Sequence, residues 1–384
     1  MKFVVSKNVL EVAVKNLLRV IPSKPALPIL TDIEFHVMEA NKRAIMMASD
    51  GEVFIESHID LDECEGEGSF TVQATMLANM LSEVKEQPLT VYATTESEKQ
   101  SFTVEYQDGE AYCSMGNANE YPHLYALEES PRVVIVDDDS FKNALDTTAF
   151  AAARDEFCSV MCGVYFTSKG GTEATLVASD GHVLMKQTID VDATGAPFGV
   201  IIPSRVVAIL SKMIDPDDKL NIEIYGSRTT IDSMSFNLTF RQIEGKYPNW
   251  EGIIPNSFTR VLKADRLQLI SALKAVAPFA PDSSNMIIMR YDVGNLTIEG
   301  SDNDFAAGAE RRVAVEPIMF GQTTDPMTIG FKAKQLITAL SKLGGPFVAI
   351  NLNEPDKAGV FEPEVEGDDN PTQMALVMPM LVNE

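Results

Sequence analysis

Three short stretches divide this chain of 384 residues into nearly equal parts. Ala48-Ser49-Asp50-Gly51-Glu52 comes first, Ala178-Ser179-Asp180-Gly181-His182 second, and Gly300-Ser301-Asp302-Asn303-Asp304 third. Asp50 and Asp180 are 130 residues apart, and Asp180 and Asp302 are 122 apart. Each stretch follows a strand-like run (residues 44–47, 174–177 and 295–299) and precedes another alternating run, the pattern of a tight turn between two strands. Recurrence at this interval predicts three copies of one domain. Leu77, Val207 and Leu336 obey the same ruler on predicted helices, 130 and 129 residues apart. Glu120-Tyr121-Pro122 closes the first copy, and Glu244-Gly245-Lys246-Tyr247-Pro248 closes the second.

Within each copy the pattern predicts a strand, a helix, several strands, a second helix and further strands. The first helix should be capped by Ser6 or Asn8 and run through Leu10, Val14, Leu17, Leu18 and Ile21 until Pro22 stops it. The others are expected at 74–84, from a cap at Asp139 or Ser140 through Thr148, at 204–213 behind Pro203, from the Asp265 cap through 276, and at 334–343. Strands follow strands too often for a doubly wound parallel sheet. The prediction is an α+β module, its helices covering one face of an antiparallel sheet.

The length accommodates two or three domains. Hydrophobic residues at 45% and charged residues at 23% describe an ordinary globular protein. No run approaches the ~18 apolar residues of a membrane span, and Met1-Lys2-Phe3-Val4-Val5 does not open a secretory signal. Four cysteines (Cys64, Cys113, Cys158 and Cys162) are too sparse for a disulfide framework, which suggests a reducing cytoplasm.

Little in the sequence points to catalysis. His36, His58, His123 and His182 are scattered, and Cys158 and Cys162 have no second Cys or His pair to complete a metal site. Ser179, Asp180 and His182 sit on one strand-turn-strand, where alternating side chains do not converge as a triad does. The copies at Asp50 and Asp302 also lack the histidine. No phosphate loop or dinucleotide fingerprint is present. The expectation is no catalytic residue, no metal and no cofactor. A repeat-built enzyme with an inter-domain active site is the alternative, and it would account for the repeats alone.

A net charge of −25 opposes a polyanionic partner. Its distribution argues otherwise, because charges farther apart than about 10 Å are screened. Acidic runs fall in expected loops at 60–67, 137–139, 215–218 and 362–369. Basic residues recur on expected helices: Lys7, Lys15, Arg19, Lys85, Lys142, Arg205, Lys212, Arg266, Lys274, Lys334 and Lys342. Repetition over three copies suggests one shared basic surface.

Along its whole length the chain resembles the bacterial DNA polymerase III β subunit family, the β sliding clamps. The resemblance rests on Met1-Lys2-Phe3, Lys24-Pro25-Ala26-Leu27-Pro28-Ile29-Leu30, Ala178-Ser179-Asp180-Gly181-His182-Val183-Leu184, Glu244-Gly245-Lys246-Tyr247-Pro248 and Leu376-Val377-Met378-Pro379-Met380. It implies a DNA-clamp fold with three domains, expected at 1–127, 128–256 and 257–384. Two copies would form a head-to-tail dimeric ring of six domains, helices inside and sheets outside, around double-stranded DNA held topologically and without sequence preference. Such a ring is a processivity factor. Its expected partners are the replicative DNA polymerase subunit, the clamp loader and other proteins with a clamp-binding motif, and its expected place is the cytoplasm, with no membrane contact.

By position in that family, Lys24, Arg154, Arg205 and Lys212 would contact DNA. Met161, Ser179, Gly181, His182, Leu184, Pro248, Ile253, Leu376, Met378, Pro379 and Met380 would form a groove for short peptides between the second and third domains. There Leu184, Ile253 and the methionines would offer an adaptable apolar surface to Leu and Phe anchors. Tyr112 and Phe279 would lie at the dimer contact edges, within 111–114 and 276–281. Val183 and Gly252 stand where basic residues are common, Leu381 follows Met380 where a basic residue can occur, and Lys332 and Gln335 replace other polar or aromatic residues, so peptide preference is expected to differ.

Overall fold

The computed structural model describes residues 1–94, 101–124, 130–193, 196–214, 219–292, 294–302, 306–318, 325–365 and 371–382. The helices are α1 (Lys7–Leu17), α2 (Ala74–Glu83), α3 (Asp138–Thr148), α4 (Ser204–Met213), α5 (Arg266–Val276) and α6 (Ala333–Lys342). The strands between them pair antiparallel. This is the expected α+β repeat.

Helix limits shift where local bonding outweighs periodicity. α1 ends at Leu17, not Ile21: the Arg19 and Val20 N–H groups bond to Asn16 and Leu17 carbonyls, three residues back, which tightens the chain out of the α-helix. Ser6 occupies the N-cap position of α1 but does not cap it; its hydroxyl donates to Glu86 Oε1 at 2.9 Å. α3 starts at Asp138, so Asp139 and Ser140 lie in its first turn. Asp265 caps α5 as expected, accepting from the Gln268 N–H at 2.8 Å.

The repeated turns are held by their own side chains. Ser49 Oγ accepts from the Gly51 N–H at 2.9 Å, and Asp50 Oδ1 accepts from Glu52 at 2.9 Å and Val53 at 2.8 Å. In the second copy Ser179 accepts from Gly181 at 3.1 Å, and Asp180 accepts from His182 and Val183, both at 2.8 Å. Gly51 and Gly181 take φ of +98° and +86°, which a side chain would strain. The third copy departs from the expected turn. Ser301 and Asp302 are strand residues, opposite Gly308 and Ala307, and the positive φ falls on Ala306. With asparagine at position 303 in place of glycine, the strand includes both the serine and the aspartate. Residues 303–305 lie outside the described set.

The first Tyr-Pro pair links the end of its copy to the turn. The buried Tyr121 hydroxyl accepts from the Ser49 N–H at 3.0 Å and donates to the Asp32 carbonyl at 3.3 Å. The Tyr247 hydroxyl is turned toward the Ser179 backbone but is buried without a hydrogen-bond partner. The first copy thus ties its end to its own turn.

Two compact units are present. One spans Met1–Asp139, Asp192–Thr194 and Ala208–Gln242; the other spans Ser140–Val191, Gly195–Val207 and Ile243–Glu384. The division cuts the middle copy because its last strand belongs with its predecessor. In the first unit the strand Phe236–Arg241 adds to Val53–Asp60, from Phe240↔Val53 to Phe236↔Ser57. In the second unit Gln373–Val377 adds to Val183–Ala193, from Val377↔Val183 to Gln373↔Gln187. The junction is the same both times: the strand leaving a turn takes on the last strand of the next copy. Phe35, Phe70 and Phe102 pack within about 6 Å of one another in the first unit's core, where α1 lies against α2. In the second unit α5 lies against α6 and the strand Ala307–Pro317.

The first unit also holds a cavity of about 330 Å³ lined by Glu34, His36, Glu56, Ser69 and His123 among others. Burial of Glu34, and secondarily the charge of Glu56, push its carboxyl up to about 7. His123 Nε2 stands 3.6 Å from it.

Tyr121→Phe leaves the buried Ser49 N–H without its acceptor and should cost about 1–3 kcal/mol in urea unfolding; an unchanged midpoint would mean the hydroxyl does not hold the turn. Glu34 is stabilising while protonated. That contribution is complete below its ordinary value of 4.5 and is lost as pH rises through about 7. The unfolding midpoint of Glu34→Gln should therefore gain on that of the wild type across this window, and a pH-independent difference would contradict the assignment.

Candidate functional site

The second junction builds a site. Leu184 and Leu376 face each other in register, and Val360 lies opposite Leu376 on the next strand. With Val177, Ile201, Tyr247, Ala358 and Met374 they form a buried cluster, against which Val160, Tyr165, Ile243, Trp250, Ile254 and Phe258 pack. Tyr165 and Tyr247 stack at 4.8 Å, and burial pushes the Tyr247 phenol up to about 12.

The eleven expected groove residues sit at different depths around this cluster. Leu184 and Leu376 are 0% and 2% exposed, so they are floor and not surface. Ser179 is buried too, its Oγ donating to the Val183 carbonyl at 2.8 Å. Gly181 and His182 are exposed at the turn, Pro248 is exposed beside buried Tyr247, and Ile253 is 54% exposed. Met161 is half-buried and follows Val160, which packs on the cluster. The chain then leaves the sheet across the turn: the Met378 N–H donates to the His182 carbonyl at 2.8 Å, and the Met380 N–H donates to the Gly330 carbonyl at 2.8 Å. A Cβ at Gly330 would stand 2.9 Å from the Met380 carbonyl oxygen, so glycine permits this docking. Met378 remains 41% exposed, with Pro379 and Met380 half-buried. An apolar floor is thus bordered by one histidine, one isoleucine and three methionines.

Sequence reasoning missed Trp250, Phe258 and Val360. Trp250, the only tryptophan, carried a signal because it follows a Tyr-Pro pair. Val360 carried none, since its place depends on strand register. Val183 is buried at 2% exposure, and Gly252 lies in the short turn Glu251–Ile253 against the Asn249 amide.

Lys24, Arg154, Arg205 and Lys212 are all exposed. Arg205 and Lys212 are seven residues apart on α4 and so share a helical face. Lys7 does not belong to an open basic surface: it is buried and bonds Glu11 at 2.8 Å, as does Lys15. Arg266 is a strut, donating to the carbonyls of Gly345 at 2.7 Å and Leu340 at 3.3 Å at the end of α6. Tyr112 is 77% exposed on the strand Gly109–Ser114, and Phe279 is 39% exposed after α5. Among the described residues no group of three or more His, Cys, Asp or Glu is placed to hold a metal, and no helix is long and apolar enough to cross a membrane.

Three family models match in succession: the N-terminal domain of the DNA polymerase III beta subunit over residues 1–125, its central domain over 135–249, and its C-terminal domain over 251–380. The chain belongs to the DNA polymerase III beta subunit family. Relatives include the beta sliding clamp of Synechococcus elongatus, 27% identical over 371 residues that cover 94% of this chain and 96% of the relative. That of Bacillus subtilis is 26% identical over 367 residues, covering 92% and 93%. The fold matches the sliding clamp of Pseudomonas aeruginosa crystallised with a ligand, at a TM-score of 0.90 and 20% identity over the whole of both chains. It also matches the P. aeruginosa clamp bound to griselimycin, at a TM-score of 0.89 and 22% identity. The repeat that organises this sequence is the three-domain order of that family.

Proposed function

We propose that this chain is a DNA polymerase processivity factor, a sliding clamp that two copies close head to tail around duplex DNA. The observation that carries the reading is the succession of three beta subunit domains from residue 1 to residue 380. We take the domains to run 1–127, 128–256 and 257–384.

The repeated junction supports the ring. Three copies in a row make two internal junctions and leave one half-junction at each end. The unmatched halves are the strand Ala307–Pro317, which follows the third turn position, and Gly109–Ser114, the last strand of the first copy. Among the described residues neither edge has the partner that its counterparts have. An edge strand with free N–H and C=O groups is a template for another chain. The third copy of one molecule and the first copy of another supply complementary edges, a heterologous contact that closes if the rotation per copy allows. Tyr112 lies on one edge. Phe279 sits in the turn Ala277–Phe279, which packs beside the other.

Exposed Lys24, Arg154, Arg205 and Lys212 would meet phosphates, a sequence-independent attraction compatible with sliding. The net charge of −25 keeps DNA off the rest of the surface. The groove would take short peptides of the replicative polymerase subunit, the clamp loader and other partners, all working in the cytoplasm. Each buried Leu or Phe anchor contributes on the order of 1.5–3 kcal/mol before ordering costs, so a short peptide binds modestly.

After loading, the protein should be retained on nicked circular DNA and lost when the circle is linearised. Replacing Lys24 and Arg205 with glutamine should reduce the dependence of DNA contact on salt. Equal release from circular and linear DNA would reject the clamp.

A further inference from the structure

Beside the groove lies a cavity that shares only Pro248 with the eleven groove residues. It has a volume of about 570 Å³ and lies on the same sheet, its wall running from Lys246 to Glu251. Leu184, Lys186 and Thr188 alternate on one strand and so point to one face. Leu184 is groove floor and Lys186 is cavity floor, about 7 Å farther along the strand. Pro248 and Trp250 line the cavity while bordering the groove cluster. A peptide seated in the groove reaches the cavity with about two extended residues.

The cavity's charge is unusual for this chain. Lys169, Lys186 and Lys246 face Glu173 and Glu251. Lys169 is neutralised by Glu251 at 2.7 Å, which leaves two ammonium groups against Glu173. Lys186 Nζ lies 6.0 Å above the Trp250 ring. Glu362, whose carboxylate accepts from Asn351 Nδ2 at 2.8 Å, also acts on Lys186 from outside the cavity lining.

The first copy supplies an internal control. Glu34 is opposite Met47, three residues before Asp50, as Tyr165 is opposite Val177, three before Asp180. At the 130-residue interval Glu56 corresponds to Lys186, and counted from the tyrosines of the two Tyr-Pro pairs His123 corresponds to Asn249. The first copy's cavity therefore occupies the equivalent place but is lined by Glu34, Glu56 and His123. One fold position carries acid in one copy and lysine in the other, so the lysines are not dictated by the fold.

We propose that this lysine-lined cavity is a second recognition site, which takes acidic residues flanking the apolar anchors of a partner peptide. The proposal rests on the peptide-binding reading of the groove and extends it from hydrophobic to charge recognition. Lys186 and Lys246 make the contacts, and Trp250 packs against the peptide backbone between the two sites. In a protein of net charge −25, such a pocket also gives an acidic partner segment a favourable place to dock.

The test uses the full-length protein and three tryptophan-free fluorescent peptides with Leu and Phe anchors: one unextended, one flanked by glutamates and one flanked by lysines. At low salt the glutamate form should bind about five- to tenfold more tightly than the lysine form, as expected for two partly exposed charge contacts. The advantage should vanish in K186Q/K246Q, while the unextended peptide binds that variant as it binds the wild type. Trp250, the only tryptophan, should change its emission more with the glutamate form. Equal affinities of the two extended forms, or an advantage that survives K186Q/K246Q, would overturn the proposal and leave the groove standing. Met378→Asp should abolish binding of all three peptides; if it leaves the unextended peptide bound, the groove itself is wrongly placed and both readings fall.

Discussion

The structure depends on one kind of hydrogen-bonded contact, the antiparallel addition of the last strand of one copy to the strand that leaves the preceding copy's turn. It occurs at Phe236–Arg241 on Val53–Asp60 and again at Gln373–Val377 on Val183–Ala193. Because backbone groups make the contact, it tolerates different side chains and can recur along a diverged repeat. A Ser-Asp turn stands at the head of each junction, and at the first one the Tyr121 hydroxyl ties copy end to turn. Among the described residues the same geometry leaves two edges without partners.

Function follows from what differs between the copies. At the first junction the sheet face carries carboxylates and histidines, with Glu34 held near neutrality by burial. At the second it carries Leu184, Tyr247 and Trp250, and the chain beyond Val377 crosses the turn to bond His182 and Gly330. That crossing leaves Met378 exposed over an apolar floor. The terminal segment, bonded across the turn, borders this apolar cluster, and Lys186 lies farther along the same strand.

Much of this was legible in the residues because its causes are local. The serine and aspartate that hold the first two turns bond within four residues of themselves, so the motif and the turn coincide. The third copy misled because the glycine that permits a tight turn is missing there, and the strand continues through Asp302. Lys7 read as surface charge, although Glu11 one turn later was available to bind it. Burial of Leu184 and Leu376 was not legible, since it depends on pairing residues almost 200 positions apart. Val360 and the cavity beside the groove were hidden for the same reason: register between distant strands places them.

Hydrogen exchange at increasing protein concentration tests the central claim most directly. The two unmatched edges, Gly109–Ser114 and Ala307–Pro317, should become protected together as copies associate and should exchange faster together on dilution. If light scattering reports a dimer while exchange at both edges stays independent of concentration, the copies join elsewhere and the repeated strand junction does not build the assembly.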